Sequence, residues 1–400
     1  MSESWKTYQL KNILKPKGYI RGPFGSSLKR NELKSSGIPV YEQQHAIENL
    51  REFRYYIDEE KFKEMSRFQV QTNDLIISCS GTIGSISLIK EEDPKGIISQ
   101  ALLILRVDPD IVLPEFLKYF FYTPFGANKL LQSSFGSVQT NIASRSIVET
   151  IEVNTPSINE QEKIVSILSS LDDKIDLNLK MNQTLESIAQ TIFKRWFVDF
   201  QFPGSTGELE NELPKGWVKG KLAEGFNITM GQSPPGESYN EEGEGIIFFQ
   251  GRTDFGFRFP STRLFTTDPK RYAEKFETLV SVRAPVGDIN MAIEKCCLGR
   301  GLGSIIHKNG STSFTYYFIK SIQDKIKQFD LDGTVFGSIT KKNFENIEVI
   351  YPTEDVINEF ENLIKPFDNK IYLNTLQILT LTTIRDSLLP KLITGKISVN

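Results

Sequence analysis

Cysteine and histidine are scarce in this chain of 400 residues: Cys79, Cys296 and Cys297 are the whole set of thiols, and His45 and His307 the only imidazoles. An odd, unpatterned trio makes no disulfide framework. With no C-x-x-C, no H-E-x-x-H and no paired Cys/His spacing, neither structural zinc nor thiol catalysis is expected, and the thiols read as buried and inert. No apolar run approaches the roughly 18 residues of a membrane span, and the opening MSESWKTYQLKN lacks an apolar signal core. A cytoplasmic chain is the expectation.

Signatures of catalysis are missing as well. There is no G-x-x-x-x-G-K-[ST], no G-x-S-x-G and no G-x-G-x-x-G after a strand-like run. Gly299 to Gly303 is glycine-rich, yet it leads into a strand-like segment rather than a helix, which argues against a phosphate cradle. The N/D-P-P-Y/F segment with which DNA amino-methyltransferases hold a base has no match; Ser233-Pro234-Pro235-Gly236 is nearest and has the wrong flanks. Asp172-Asp173-Lys174 and Asp368-Asn369-Lys370 offer the D-x-K of metal-dependent nucleases. Both lie within a helical repeat, where Asp and Lys are ordinary solvated positions.

What the chain does contain, it contains twice. Ser157 to Phe200 lies over Thr353 to Lys396 at a constant offset: Asp172, Lys174, Ile175, Leu177 and Asn178 recur as Asp368, Lys370, Ile371, Leu373 and Asn374. Both copies read as helices with a seam of alternating steps of four and three. In the first copy the seam is Ile164, Leu168, Leu171, Ile175, Asn178, Asn182, Leu185, Ala189, Ile192 and Trp196; in the second, Phe360, Ile364, Phe367, Ile371, Asn374, Ile378, Leu381, Arg385, Leu388 and Leu392. Ser157 and Glu160 make a capping box, Thr353-Glu354-Asp355 is a favourable start, and Pro203-Gly204 ends the first helix. An equal seam on each helix predicts pairing within the chain. Run antiparallel and fully overlapped, the pair brings Asn178 and Asn374 together at its midpoint, where a buried amide pair fixes register. Pro366 predicts a kink or break near the start of the second helix.

The duplication reaches past the helices. Trp5 lies over Trp217, Ser36–Tyr41 over Glu244–Phe249, Gly81–Gly84 over Ala284–Gly287, Gly136 and Ile142 over Gly333 and Ile339, and Ile151–Pro156 over Ile347–Pro352. Short β-branched or apolar runs at Asp74–Cys79, Ser85–Ile89 and Ala101–Val107, matched by Thr278–Val282, Ile289–Ile293 and Leu302–His307, predict strands. Pro114–Leu131 and Ser313–Gln328 predict helices. The fold class is α+β: a mixed globule and a long helix, given twice, with boundaries at 1–155, 156–200, 201–213, 214–352 and 353–400. Residues 201–213 are a linker in composition.

Net charge is −3, which looks wrong for a nucleic-acid binder until it is divided. Residues 1–155 hold 19 Lys+Arg against 18 Asp+Glu, and residues 214–352 hold 18 against 16, so the excess of acid sits in the helices and linker. Each near-neutral globule can still carry a local basic face. Their loops are rich in the groups that distinguish base edges, Arg or Lys for guanine and Asn or Gln for adenine. In the first globule these candidates are Ser26, Ser27, Lys29, Arg30, Gln43, Gln44, Ser80, Thr82, Gln100, Ser137, Gln139, Thr140 and Asn141. In the second they are Gln232, Ser233, Arg252, Thr253, Arg258, Arg283, Arg300, Lys341 and Lys342. A turn or solvated surface explains any one of them; matched places in two globules say more.

The segment Leu171–Phe200 resembles the central helical region of specificity (S) subunits of type I restriction-modification systems. Phe24–Lys29, Gly37–Val40, Gly81–Gly84 and Pro214–Trp217 resemble parts of their target recognition domains, and the resemblance covers essentially the whole chain. It implies a pseudo-two-fold protein in which two α/β recognition domains, joined by two long antiparallel helices, each read one half of a split, asymmetric DNA target. It further implies a chain without catalysis or cofactor of its own. Two methyltransferase subunits using S-adenosylmethionine would dock on the helices, and translocase-nuclease subunits using ATP and magnesium would complete the complex. Phe193, Trp196, Phe197 and Phe200 exceed what one seam requires, and offer either an anchor for a partner subunit or packing against the linker and Trp217. About 30 paired residues give a rod of roughly 45 Å, comparable with one turn of B-DNA at about 34 Å. Two other readings stay open at this point: a nuclease or methyltransferase in its own right, and a free-standing bivalent DNA-binding or defence protein without enzymatic partners.

Overall fold

A computed structural model describes residues 5–24, 27–80, 82–131, 142, 144–330 and 337–399. The chain divides into two compact units, residues 1–176 with 379–400, and residues 177–378. The division falls inside both long helices, Ile158–Phe193 and Glu354–Ile393. It therefore departs from the boundaries drawn on sequence: helix segments belong to each globule's own core instead of standing apart.

In the first unit a four-stranded antiparallel sheet has the order Leu14–Arg21, Leu102–Val107, Leu75–Ser78, Ile86–Leu88. A three-stranded sheet runs Tyr56–Ile57, Ile38–Tyr41, Ile97–Ile98, the last pair parallel. Lys6–Gln9 pairs with Glu152–Thr155, just ahead of the first long helix. The second unit repeats the plan. Its four-stranded sheet is Phe226–Met230, Leu302–His307, Thr278–Ser281, Ile289–Met291; its five-stranded sheet holds the matching parallel pair Ile246–Phe249 and Cys296–Leu298; Val218–Lys221 pairs with Glu348–Tyr351. The central strands are apolar on both faces: Leu75, Ile76 and Ile77 are fully buried, as are Leu102 to Leu105. Opposite side chains of one strand accordingly enter different clusters, Leu75 and Ile77 one, Ile76 another.

Each predicted helix after the sheet is two. Pro114–Tyr122 and Pro124–Leu131 are divided at Thr123, because the residue before a proline is disfavoured in helical geometry. Thr312–Ser321 and Gln323–Lys327 are divided at Ile322. Residues 201–213 do more than connect: Leu209–Glu210 and Leu213–Pro214 form a hairpin, and Phe202 stacks on Trp217 with centroids 5.5 Å apart.

Within each unit the long helices run antiparallel. In the first, Arg385 reaches Asp172 at 2.9 Å, and Leu168 shares a cluster with Leu389 and Leu392. In the second, the Asn178 amide donates to Gln377 and the Asn374 amide to Asn182, each at 2.9 Å. The predicted meeting of Asn178 with Asn374 is thus displaced by about one helical turn. Both side chains are buried on the seam, but each takes the amide of the neighbouring turn. The remaining seam positions are buried or half-buried: Ile164, Leu168, Ile175, Phe360, Ile364 and Ile371 fully, and Leu171, Leu185, Ile192, Phe367, Ile378, Leu381 and Leu388 in part.

Two expectations are corrected here. Pro366 does not break the second helix, which is continuous over 40 residues. Pro366 is exposed, as is Asn362 four residues before it, so the carbonyl left without an N–H partner faces water. The aromatic tail of the first helix is not spare surface. Phe193 and Trp196 are buried, and Phe197 and Phe200 pack on the same cluster against Trp217, Phe314 and Phe360. The linker-packing reading accounts for them, and the neighbouring Val198 is exposed.

Candidate nucleic-acid interface

In both units one hydrogen-bonded frame holds the same two positions, both exposed in the second unit, and one exposed and one half-buried in the first. The Gly22 N–H donates to the Leu102 carbonyl at 2.9 Å, and the Gly231 N–H to that of Leu302 at 2.8 Å. Cys79 to Ala101 at 2.8 Å matches Val282 to Gly301 at 2.9 Å; Ser99 to Tyr41 at 2.8 Å matches Gly299 to Phe249 at 2.8 Å; Gly84 to Ser78 at 2.9 Å matches Gly287 to Ser281 at 2.9 Å. Glycine is required where these strands turn together. A Cβ on Gly22 would stand 2.0 Å from the Ser99 carbonyl oxygen, and one on Gly231 would stand 2.2 Å from that of Gly299. The register makes Ser80 the counterpart of Arg283 and Gln100 the counterpart of Arg300.

In the second unit this frame borders a cavity of about 610 Å³ lined by Arg283, Arg300, Gly231, Gly337 and Thr340. Arg283 is fixed by a bridge to Ser338, with the Ala284 N–H on the Gly337 carbonyl at 2.9 Å and the Ile339 N–H on that of Val282 at 3.0 Å. Val282 therefore points inward and Arg283 outward. The Arg300 N–H donates to the Ser233 hydroxyl at 3.2 Å, and the Gln232 N–H to the Leu298 carbonyl at 2.9 Å. Thr340 caps the short helix Lys341–Glu345, its hydroxyl accepting from the Asn343 N–H at 3.2 Å. The structure thus places Arg283 and Arg300 on one opening, with Gln232 and Lys341 next in the chain to residues that line it and Ser233 bonded to Arg300. Arg252 and Thr253 are exposed, and Arg252 is ion-paired with Asp288. Lys341 has a partner in Glu345 at 3.6 Å, and Lys342 is exposed.

Arg258 is not a base reader. It is 1% exposed, with its guanidinium on Glu186 and, at 2.8 Å, on Asp368, stacked 3.9 Å from the Tyr316 ring. The loop that carries it folds onto the helices. Burial alone would raise the Glu186 carboxyl; the Arg258 and Lys320 charges outweigh that and hold it below its ordinary value. Asp368 also accepts from the Tyr317 hydroxyl at 3.2 Å, as Asp172 in the other unit accepts from Tyr119 at 2.7 Å. The two D-x-K aspartates are therefore held in matching structural contacts.

In the first unit the corresponding cavity, about 320 Å³, is lined by Tyr19, Arg21, Phe24, Arg67, Ile142, Ser144 and Arg145. Sequence reasoning missed its three arginines. Arg145 follows the helix-capping position Ser144 just as Lys341 follows Thr340, so the internal repeat could have found it. Arg21 matches Met230 and carried no such signal. One Arg21 guanidinium nitrogen is buried and has no hydrogen-bond partner among the described residues, and Arg145 is ion-paired with Glu149 at 2.7 Å. Of the predicted residues here, Gln43 and Ser80 meet at 3.3 Å. Gln44 is half-buried; Ser27, Lys29, Arg30, Thr82 and Gln100 are exposed. Ser26, Ser137, Gln139, Thr140 and Asn141 lie outside the described residues.

A family described as the type I restriction modification DNA specificity domain matches residues 2–187 and 214–382. A Methanocaldococcus jannaschii protein provisionally named type I restriction enzyme MjaX specificity subunit is 28% identical over 412 residues, covering 99% of this chain and 94% of its own. The type I restriction enzyme HindI specificity subunit of Haemophilus influenzae is 26% identical over 376 residues, covering 75% and 81%. A crystal structure of a type I restriction-modification S subunit from M. genitalium shares the fold with a TM-score of 0.65 at 18% identity, over 97% of this chain and 96% of the other.

Proposed function

Because the chain belongs to the type I restriction modification DNA specificity family and is the non-catalytic specificity subunit of such a system, we propose how its parts divide the work. Each unit reads one half of a bipartite, asymmetric DNA target through the opening bounded by its strand-end frame. The paired helices act as spacer between the half-sites and as the surface on which two methyltransferase subunits dock, with restriction-translocase subunits completing the complex on double-stranded DNA. S-adenosylmethionine, ATP and magnesium belong to those partners.

One observation carries this reading: the same backbone frame occurs twice and presents different side chains. Ser80 and Gln100 stand in one unit where Arg283 and Arg300 stand in the other. A frame repeated with its exposed groups changed supports two readers of unlike sequence, and hence a target without two-fold symmetry. Phosphate contacts from cations on these faces supply affinity and position, while a few base contacts supply choice. Comparing genome-wide adenine methylation in the host with that of a strain lacking this chain tests the reading. Loss of one bipartite, non-palindromic motif is the expected outcome; an unchanged methylome would refute it.

A further inference from the structure

Position 300 and its counterpart 100 each carry an exposed side chain on a hydrogen-bonded turn of the frame. Around Arg300 the backbone is pinned by Gly299 to Phe249, Arg300 to Ser233 and Gly301 to Gln250; around Gln100, by Ser99 to Tyr41 and Leu102 to Ser99. A side chain on such a turn pays little of the ordering cost that a floppy loop pays on binding. Arg300 and Arg283 are also the arginines that border the cavity of the second unit, which Arg195 and Arg271 do not. Arg252 is engaged by Asp288, Arg258 by Glu186 and Asp368, and Arg263 by Asp254. Among the described residues, no acceptor engages the guanidinium of Arg283 or Arg300, and both border the cavity of the second unit. Unengaged guanidiniums on a fixed support have the geometry for two-point donation to guanine O6 and N7, whereas a glutamine in that place matches adenine N6 and N7.

We propose that this matched position sets base choice: Arg300, with Arg283 beside it, reads guanine in the half-site of the second unit, and Gln100 reads adenine in the half-site of the first. The proposal rests on the reading that each unit takes one half-site. Its test is methylome mapping of the host carrying the complete system with wild-type chain, Arg300→Gln, Arg283→Ala or Gln100→Arg.

Arg300→Gln should relax or replace one guanine in one half of the motif, with discrimination there falling about ten- to a hundredfold, while the other half is kept. Arg283→Ala should act in the same half as Arg300→Gln, and Gln100→Arg at an adenine of the opposite half. Uniform loss of methylation at every site with an unchanged motif, from a complex that still assembles, would mean a phosphate contact and would overturn the assignment, as would no change at all. If a variant fails to assemble, binding of the purified wild-type complex to duplexes carrying 7-deazaguanine or 2-aminopurine for guanine, or purine for adenine, at each position reads the same contacts, and indifference to those replacements counts against it. A wild-type chain that confers no bipartite motif refutes the half-site reading itself, and so is told apart from failure of this assignment.

Discussion

Arg258 shows how far one side chain's role depends on where its loop folds. As a residue type in a polar loop it is a base reader; in the fold it neutralises Glu186 and Asp368 in a buried cluster. Its counterpart in the other unit is supplied differently: Asp172 takes Arg385 from the facing helix, and the repeat places Ala189 where Arg385 stands, leaving room for the guanidinium of Arg258. Arg258→Met leaves buried Asp368 without its cation and Glu186 with Lys320 alone, and should cost about 3–5 kcal/mol, read as a lower urea midpoint. The pH dependence follows from the same cluster. The folded Glu186 carboxyl lies below its ordinary value of 4.5, so its contribution is complete above about pH 4.5 and is lost as pH falls through the folded value. Asp74 and Glu361, which burial raises, run the other way and add stability on acidification. Glu186→Gln should therefore flatten the acid limb of a stability-against-pH curve; an unaltered limb would disprove this origin. Cys79 and Cys296, pushed by burial up to about 12, and buried Cys297 should stay unlabelled by a thiol reagent until the chain is unfolded.

At the scale of elements, periodicity was the strongest guide and proline the weakest. The seam named the residues that pair, since a stripe of apolar side chains every three to four positions has few ways to be buried. It could not give the register to better than a turn, because Asn178, Asn182, Asn374 and Gln377 offer several near-equivalent amide pairings. Asn374→Leu leaves Asn182 without its donor and should destabilise the helix pair by about 1–3 kcal/mol. Replacing both by leucine should recover that loss and loosen register; a thermal midpoint for the double variant no higher than for the single would show that the amides do not act as a pair. Pro366 fails as a breaker for want of burial. It retains the helix at a cost of roughly 3 kcal/mol, and Pro366→Ala should raise the thermal midpoint without altering the fold. The strands were legible to within a residue or two because the central strands are short apolar or β-branched runs buried on both faces, whereas the pairing of Lys6–Gln9 with Glu152–Thr155 is a long-range contact between polar segments that no local pattern announces.

For the whole molecule, duplication made both the architecture and half of the candidate site readable from sequence. Arg283 and Arg300 could be singled out because they stand where a strand-end frame recurs; Arg21 and Arg67 could not, since their cavity forms from segments far apart in the chain and the repeat has no arginine at the place of Arg21. Charge was uninformative at this scale, because an acidic excess in helices and linker conceals the cationic openings of the globules. The same duplication yields a quantitative test of the spacer. Seven residues inserted at matched points of both helices, for instance after Leu179 and after Leu376, preserve the seam and add about 10 Å of rise, the length of about three base pairs of B-DNA. The variant complex should methylate a motif whose two halves are those of the parent and whose unspecified gap is about three base pairs longer. An insertion of seven residues in one helix alone unpairs the seam and should abolish methylation. A gap that stays the same length in the doubly lengthened chain would mean that something other than the helices measures the distance between half-sites.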